Sequence, residues 1–255
     1  MTNLIKAEMF KLQRNRTFWA LIATVAGLST FLHYLVIIDW WQMHGTVFDR
    51  AGLSELDALS TFTVPLFFNL IVSTLAGFFI SIEFSNSGVI RNQIISGHKR
   101  SHIFIAKLLV FSLGSIIVTV LIPVITAIII AILFGQGDGL SLTHAMYLGR
   151  AYGLFTLQFL AFASIIMLLA IITGDQGKTI ILSILFTIAM FAVEKLSKPF
   201  FLEMVYENTI FYQFTEVFQL TMTNGEIMKS IIIGVLSCMM ISLCGILVFN
   251  RKEIK

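Results

Sequence analysis

Residues 83–100, EFSNSGVIRNQIISGHKR, form a polar interval between two long apolar runs, and the character of those runs decides the fold. Working outward from it, apolar runs occupy 17–38, 61–82, 103–134, 151–173, 179–198 and 230–249. A helix needs about 20 apolar residues to cross a hydrocarbon layer of about 30 Å. The chain is 57% apolar and only 12% charged, whereas soluble domains carry about 25% charged residues. The expected fold class is an all-α polytopic membrane protein with six transmembrane helices in a single domain over residues 1–255. The third run, 103–134, is longer than one crossing requires, so it should tilt, bend near Pro123 or project from the bilayer. The fifth loses its apolar character after Val193, where Glu194 and Lys195 follow.

Charge sets the orientation. Twelve of the 17 basic residues fall before the first run, between runs two and three, in the first turns of run three (Lys107), after run four and at the C-terminus, with only four of the 14 acids. That side carries +8 and the other −5. Basic flanks stay in the cytoplasm, so both termini are expected inside a bacterial cell membrane. The net positive charge is topological and gives no reason to expect nucleic acid as a partner. Trp19, Trp40 and Trp41 bracket the first run as interface anchors. The first run is too long for a signal peptide and has no small-residue cleavage pattern behind it. Cys238 and Cys244, six apart in the last run, face different ways and should stay free thiols.

Residues 1–16 read either as a basic amphipathic helix on the inner membrane surface or as a plain positive anchor. Ile5, Met9 and Leu12 share a face with Leu4 beside them, Glu8 intrudes on it, and Lys6, Lys11 and Arg14 fill the remaining circumference. The outer segment 39–60 is acidic and too short for a domain, and 135–150, with Gly135, Gly137 and Gly139, reads as a turn. Segment 199–229 opens with Pro199 and mixes seven aromatics with Glu203, Glu207 and Glu216, which suits short amphipathic helices in the outer half of the bilayer. Small residues recur every four positions at Ser73, Gly77 and Ser81, and at Gly234, Cys238 and Ser242, a pattern that lets helices approach closely, within one subunit or between two.

Chemistry is sparse. Gly177-Lys178-Thr179 ends like a phosphate loop, but the glycine required five positions before Gly177 is Ile172, so 174–179 reads as a tight turn. His98 and His102 have helical spacing without a third zinc ligand. His33 should sit at the outer interface or bond a neighbouring helix. Ser115 and Ser164 have no histidine base within a span, and no pair of acids lies mid-membrane. Asn69, Gln158 and Thr126 read as polar glue between helices. No catalytic, metal or cofactor site is expected in the chain. An ion-gradient-driven secondary transporter would need titratable groups near mid-membrane, and an intramembrane enzyme would need a nucleophile and base.

Within 83–100, Glu83 marks the exit of the second span, Gly88 permits a reversal, Val89–Ile95 is apolar on one side, and Ser96-Gly97 ends the short helix before His98, Lys99 and Arg100. Ser101 can cap the next span. Such a helix lies along the membrane with both ends continuing into transmembrane helices, so a push on it moves both. An ordinary solvated loop is the plainer reading.

The leader LIKAEMFKLQRNRTFW and the interval IEFSNSGVIRNQIISGHKRSHIF resemble those of ABC-2-type permeases of bacterial ABC transporters. Glu83, Gly88, Arg91, Gly97, His98 and Arg100 match that family's pattern, Lys107 fits its recurring lysine, and Val89 departs from the residue usual after the first glycine. The resemblance implies the ABC-2 exporter fold: an interfacial helix, six spans, a coupling helix after the second and outer half-helices before the sixth. It implies a homodimer or paired permease seated on separate ABC ATPase subunits, which bind ATP-Mg. The ATPase would dock on the coupling helix through Glu83, Gly88, Arg91, Asn92, Gly97, His98 and Arg100, while Lys6, Lys11 and Arg14 lie on the membrane surface. No segment of the chain approaches the roughly 100–200 residues of a nucleotide-binding domain. The cargo implied is hydrophobic or amphipathic, a peptide toxin or antimicrobial peptide ahead of a lipid or drug.

Overall fold

The computed structural model describes residues 1–85, 88–135, 141–196 and 200–252, which are almost wholly helical with no strand among them. In chain order the helices that matter here are α1 (Thr2–Arg14), α2 (Arg16–Ile37), α3 (Pro65–Phe84), α4 (Gly88–Ile95), α5 (Arg100–Phe134), α6 (Leu142–Thr173), α7 (Gln176–Leu196), α8 (Phe200–Glu207), α9 (Ile210–Glu216) and α10 (Asn224–Arg251). Six of them, α2, α3, α5, α6, α7 and α10, are long and apolar enough to cross a membrane. The six expected runs all appear, with shifted ends.

Each shift has a local cause. Pro65 starts the second span four residues later than hydropathy suggests, because Val64 before it is forced into an extended conformation. The fourth span begins at Leu142, where a turn was expected, because the Ser141 hydroxyl caps it by accepting from the His144 amide at 3.2 Å. Its polar first turns are held by Tyr147, whose hydroxyl donates to the Phe218 carbonyl at 2.8 Å, and by Arg150, which donates to the carbonyls of Gln219 and Leu220. Residues 136–140, with Gly137 and Gly139, lie outside the described residues. The sixth span starts at Asn224 behind a capping box, Thr223 with Glu226.

Two spans carry a π segment. In α5 it covers Ile117–Leu121, just before Pro123. Pro123 lacks an amide proton and its ring crowds the carbonyl four residues back, and the wider turn relieves both. The Pro123 carbonyl accepts from Thr126 at 3.0 Å and Ser29 at 3.4 Å, binding α5 to α2. In α3 the π segment is Gly77–Ser81. The Phe78 carbonyl within it accepts from the Asn15 side chain at 3.2 Å, and Asn15 also caps α2.

Helices α3 and α6 are the most enclosed, 61% buried, whereas α2, α7 and α10 are only 17% buried and form the periphery. The Ser73, Gly77, Ser81 stripe faces α7: a Cβ at Gly77 would lie 3.3 Å from the Gln176 carbonyl oxygen, and Ser81 pairs with Thr179 at 2.8 Å. Asn69 on the same face donates to the Ser183 carbonyl and to Thr187, each at 2.8 Å. Gly234 admits Leu157 and Gln158 of α6. Both stripes therefore serve packing inside one chain.

The outer half-helices are present, though Pro199 falls outside the described residues. Helix α9 inserts Phe211 and Phe214 among the spans, Phe214 meeting Phe68 at 4.8 Å and Phe155 at 5.5 Å, while Phe68 also touches Phe159 and Phe162. Six of the 24 phenylalanines meet in this cluster. In lipid there is little hydrophobic force between helices, so the cluster holds by dense contact and ring geometry.

Candidate functional site at the basic end of the bundle

Helix α4 is amphipathic over eight residues, with Ile90 buried and Arg91, Asn92 and Ile95 exposed, Ile95 by 72%. Its end is built by Gly97, in the left-handed region at φ +86. The Gly97 amide donates to the Ile94 carbonyl at 3.0 Å and the His98 amide to Gln93 at 3.3 Å, the paired bonds of a Schellman cap. The chain then runs extended through Lys99, and α5 begins at Arg100. Ser101 thus lies inside the first turn and Lys99 is the N-cap, without a side-chain bond. Ser101 therefore does not cap the helix as expected, and the Arg100 side chain beside it reaches the end of α10. Gly88, where a reversal was expected, opens α4, and residues 86–87 before it lie outside the described residues.

Beneath α4 lies a cluster of buried charges. Lys107, in the second turn of α5 and 1% exposed, donates to both oxygens of Glu8 at 3.1 Å and to Glu83. Lys11 bridges the same two acids, at 2.8 Å from Glu8 and 2.8 Å from Glu83. Gln93 of α4 donates to Glu8 at 2.9 Å. Two lysines balance two carboxylates, so charges are buried in pairs, the condition under which burial is tolerated. Desolvation opposes ionisation of Glu8, but Lys107 and Lys11, with hydrogen bonds from Lys11 and Gln93, outweigh it and hold the carboxyl below its usual range. Burial likewise opposes the charge on Lys11, and Glu83 with Glu8 raise it above the usual lysine range.

The cluster joins four elements: α1 through Glu8 and Lys11, the end of α3 through Glu83, α4 through Gln93 and α5 through Lys107. It also reverses the reading of α1. The buried line is Leu4, Glu8 and Leu12, packed on protein, with Ile5 and Met9 half-buried beside it. Leu12 lies against Gly114 of α5, where a Cβ would sit 3.0 Å from its side chain. Glu8 is therefore the centre of the attached face. Of the three basic residues, Lys6 is exposed, Arg14 stacks over the Phe10 ring at 4.5 Å, and Lys11 is in the cluster.

A family model of ABC-2 family transporter proteins matches residues 4–192, from the start of α1 into α7. The chain belongs to that family. No curated protein matches the sequence. As an ABC-2 family member it is a multi-pass transport subunit of the membrane, and the matched region contains every residue of the buried cluster.

The remaining candidates of this ABC-2 protein resolve differently. Arg91, Asn92 and Gly97 stand exposed and His98 is half-buried. Glu83 is buried in the cluster, and Arg100 donates to the last carbonyls of α10. The turn in the 174–179 segment is confined to Gly174 and Asp175: Gly174 is left-handed at φ +60, and the Asp175 carboxylate caps α7, which starts at Gln176, by accepting from the Lys178 amide at 2.9 Å. His33 is buried and bonds the Ser29 carbonyl of its own helix at 2.7 Å, not a neighbour. Among the described residues no group of three His, Cys, Asp or Glu could hold a metal ion. Cys238 and Cys244 are free. Sequence reasoning missed Glu8 and Gln93. Its available signal was an acid on an apolar helix face together with a lysine inside a span, each costly alone and cheap as a pair.

Proposed function

We propose that the chain is the permease subunit of an ATP-driven exporter and that α4 is the coupling helix on which a separate ABC ATPase subunit acts. The observation that supports this most is the charge cluster under an exposed face of α4. Helix α4 is tied to α1 through Gln93 and Glu8, and the end of α3 ahead of it is tied to α1 and α5 through Glu83, so a displacement of α4 is passed to those elements. Arg91, Asn92 and His98 offer a polar surface to the ATPase, while Glu83, Gly88, Gly97 and Arg100 shape and hold the element. The basic end then lies in the cytoplasm of a bacterial cell, with both termini, where ATP-Mg is available to the partner.

Two such subunits, identical or related, frame the pathway, and ATPase closure rearranges α2, α3 and α7 around their seam. The surface of α1 that carries Lys6, Phe10 and Arg14 rests against lipid headgroups. The cargo is hydrophobic or amphipathic, a peptide toxin or antimicrobial peptide ahead of a lipid or drug, and the activity confers resistance to it. Purification from native membranes should bring down an ATPase of a few hundred residues. The reconstituted complex should hydrolyse ATP in a vanadate-sensitive way, stimulated by cargo when candidate peptides and lipids are screened. Transport by the chain alone in vesicles without nucleotide would overturn this reading.

A further inference from the structure

A second junction at the same end joins four helix termini: Phe84 at the end of α3, Arg100 at the start of α5, Ile171 and Ile172 near the end of α6, and Phe249 to Lys252 at the end of α10. A helix leaves its last carbonyls without intrahelical donors. Here cations from other elements supply them. Arg100 Nη1 lies 3.4, 3.0 and 2.8 Å from the carbonyl oxygens of Phe249, Asn250 and Lys252. Lys252 in turn donates Nζ to the carbonyls of Ile171 and, at 3.3 Å, Ile172, and sits 4.7 Å over the Phe84 ring. Phe249 is fully buried between Phe84, at 5.9 Å, and Phe104, at 6.2 Å. Gly245 leaves room for the Phe104 ring, which a Cβ would overlap.

These contacts close a circuit around α4. Phe84 precedes α4 and Arg100 follows it, and both grip the end of α10, which lies far away in sequence. Positive groups at helix C-termini are favoured by the helix dipole, by about 0.3–1 kcal/mol each when exposed and more when partly buried. Burial also pushes the Lys252 ammonium below the usual lysine range, as expected of a cation withdrawn from water onto carbonyls. Along its span α10 packs on α6, where Gln158 donates to the Ser230 carbonyl at 2.7 Å, and the terminal grip adds to that contact.

We propose that Arg100 and Lys252 form a latch that makes the ends of α6 and α10 move with the flanks of α4, so that α10 is an output of whatever acts on α4. Both are positioning residues and touch neither nucleotide nor cargo. The direction of the input rests on the coupling reading above, whereas the latch itself does not.

Two measurements on the full chain in nanodiscs separate these. Without any ATPase, Arg100→Ala with Lys252→Ala should raise amide exchange at 248–252 and 171–174 by about five- to tenfold, the size expected for loss of such caps. Arg100→Lys should restore part of the protection. Unchanged exchange in the double variant overturns the latch, whatever the partner. With the ATPase bound, a nitroxide on Cys244 in a Cys238→Ser background should respond to ATP and vanadate. Lys252→Ala should abolish that response while ATP hydrolysis stays within about twofold of the parent, because Lys252 is off the α4 surface. A response retained in Lys252→Ala, or absent from a parent complex that hydrolyses ATP, overturns the transmitting role. If no ATPase associates, the coupling reading fails, and the exchange measurement decides the latch alone.

Discussion

Lys107 donates to both carboxylate oxygens of Glu8 at 3.1 Å, although 99 positions separate the two residues. The pair attaches the N-terminal helix to the third span beneath the short helix α4. Removing one member of a buried pair leaves an uncompensated charge, whereas replacing both by apolar groups can be nearly neutral.

Lys107→Ala should therefore lower stability by about 3–5 kcal/mol, since Glu8 and Glu83 then share Lys11 alone. Lys107→Leu combined with Glu8→Leu should cost clearly less than the sum of the two single changes. Thermal unfolding in detergent measures the cycle, and strictly additive losses would show that the pair does not interact.

Charge reversal on the exposed face of α4, Arg91→Glu with Asn92→Asp, should abolish cargo-stimulated ATP hydrolysis by the complex without reducing membrane insertion or thermal stability. Surface changes away from buried contacts usually stay within about 0.5 kcal/mol. Unaltered stimulated hydrolysis would place the ATPase contact elsewhere.

Phe214→Ala should loosen α9 from the bundle. It removes a ring in contact with Phe68, Phe155 and Phe162, and large-to-small changes at packed aromatics cost about 3–5 kcal/mol. Proteolysis or amide exchange confined to 200–222 should rise first, with the basic end unaffected. Uniform loosening of the whole chain would contradict an outer cluster that holds α9 locally.

The loop over 46–60 should respond to acid. Burial pushes the Asp57 carboxyl up to about 6 from 3.8, with the Thr46 hydroxyl opposing the rise and Asp49 adding to it. A carboxyl held above its unfolded value binds its proton more readily in the folded loop, so stability is highest below about pH 4, falls as pH rises to about 6, and is flat above. Amide protection over 46–60, corrected for intrinsic exchange, should be greater at pH 4 than at pH 7, and Asp57→Asn should flatten the difference.

The sequence by itself determined the number of spans, the short helix after the second, the half-helices before the sixth and a tight turn between the fourth and fifth spans, which the structure narrows to Gly174 and Asp175. These follow from hydropathy over a window and from breakers such as Gly97 and Gly174, which act on their immediate neighbours. Span ends were less legible: the first turns of α6 look polar, and only Tyr147 and Arg150 meeting the carbonyls of 218–220 show why they are helical. Tertiary structure alone decided that Glu8 is the attachment point of α1, that Arg100 turns to α10, and that Phe68 and Phe214 pack together. A charge or ring has no local signature of its partner, because that partner is set by which helices lie side by side, and contacts such as Glu8–Lys107 exist only after the bundle has formed.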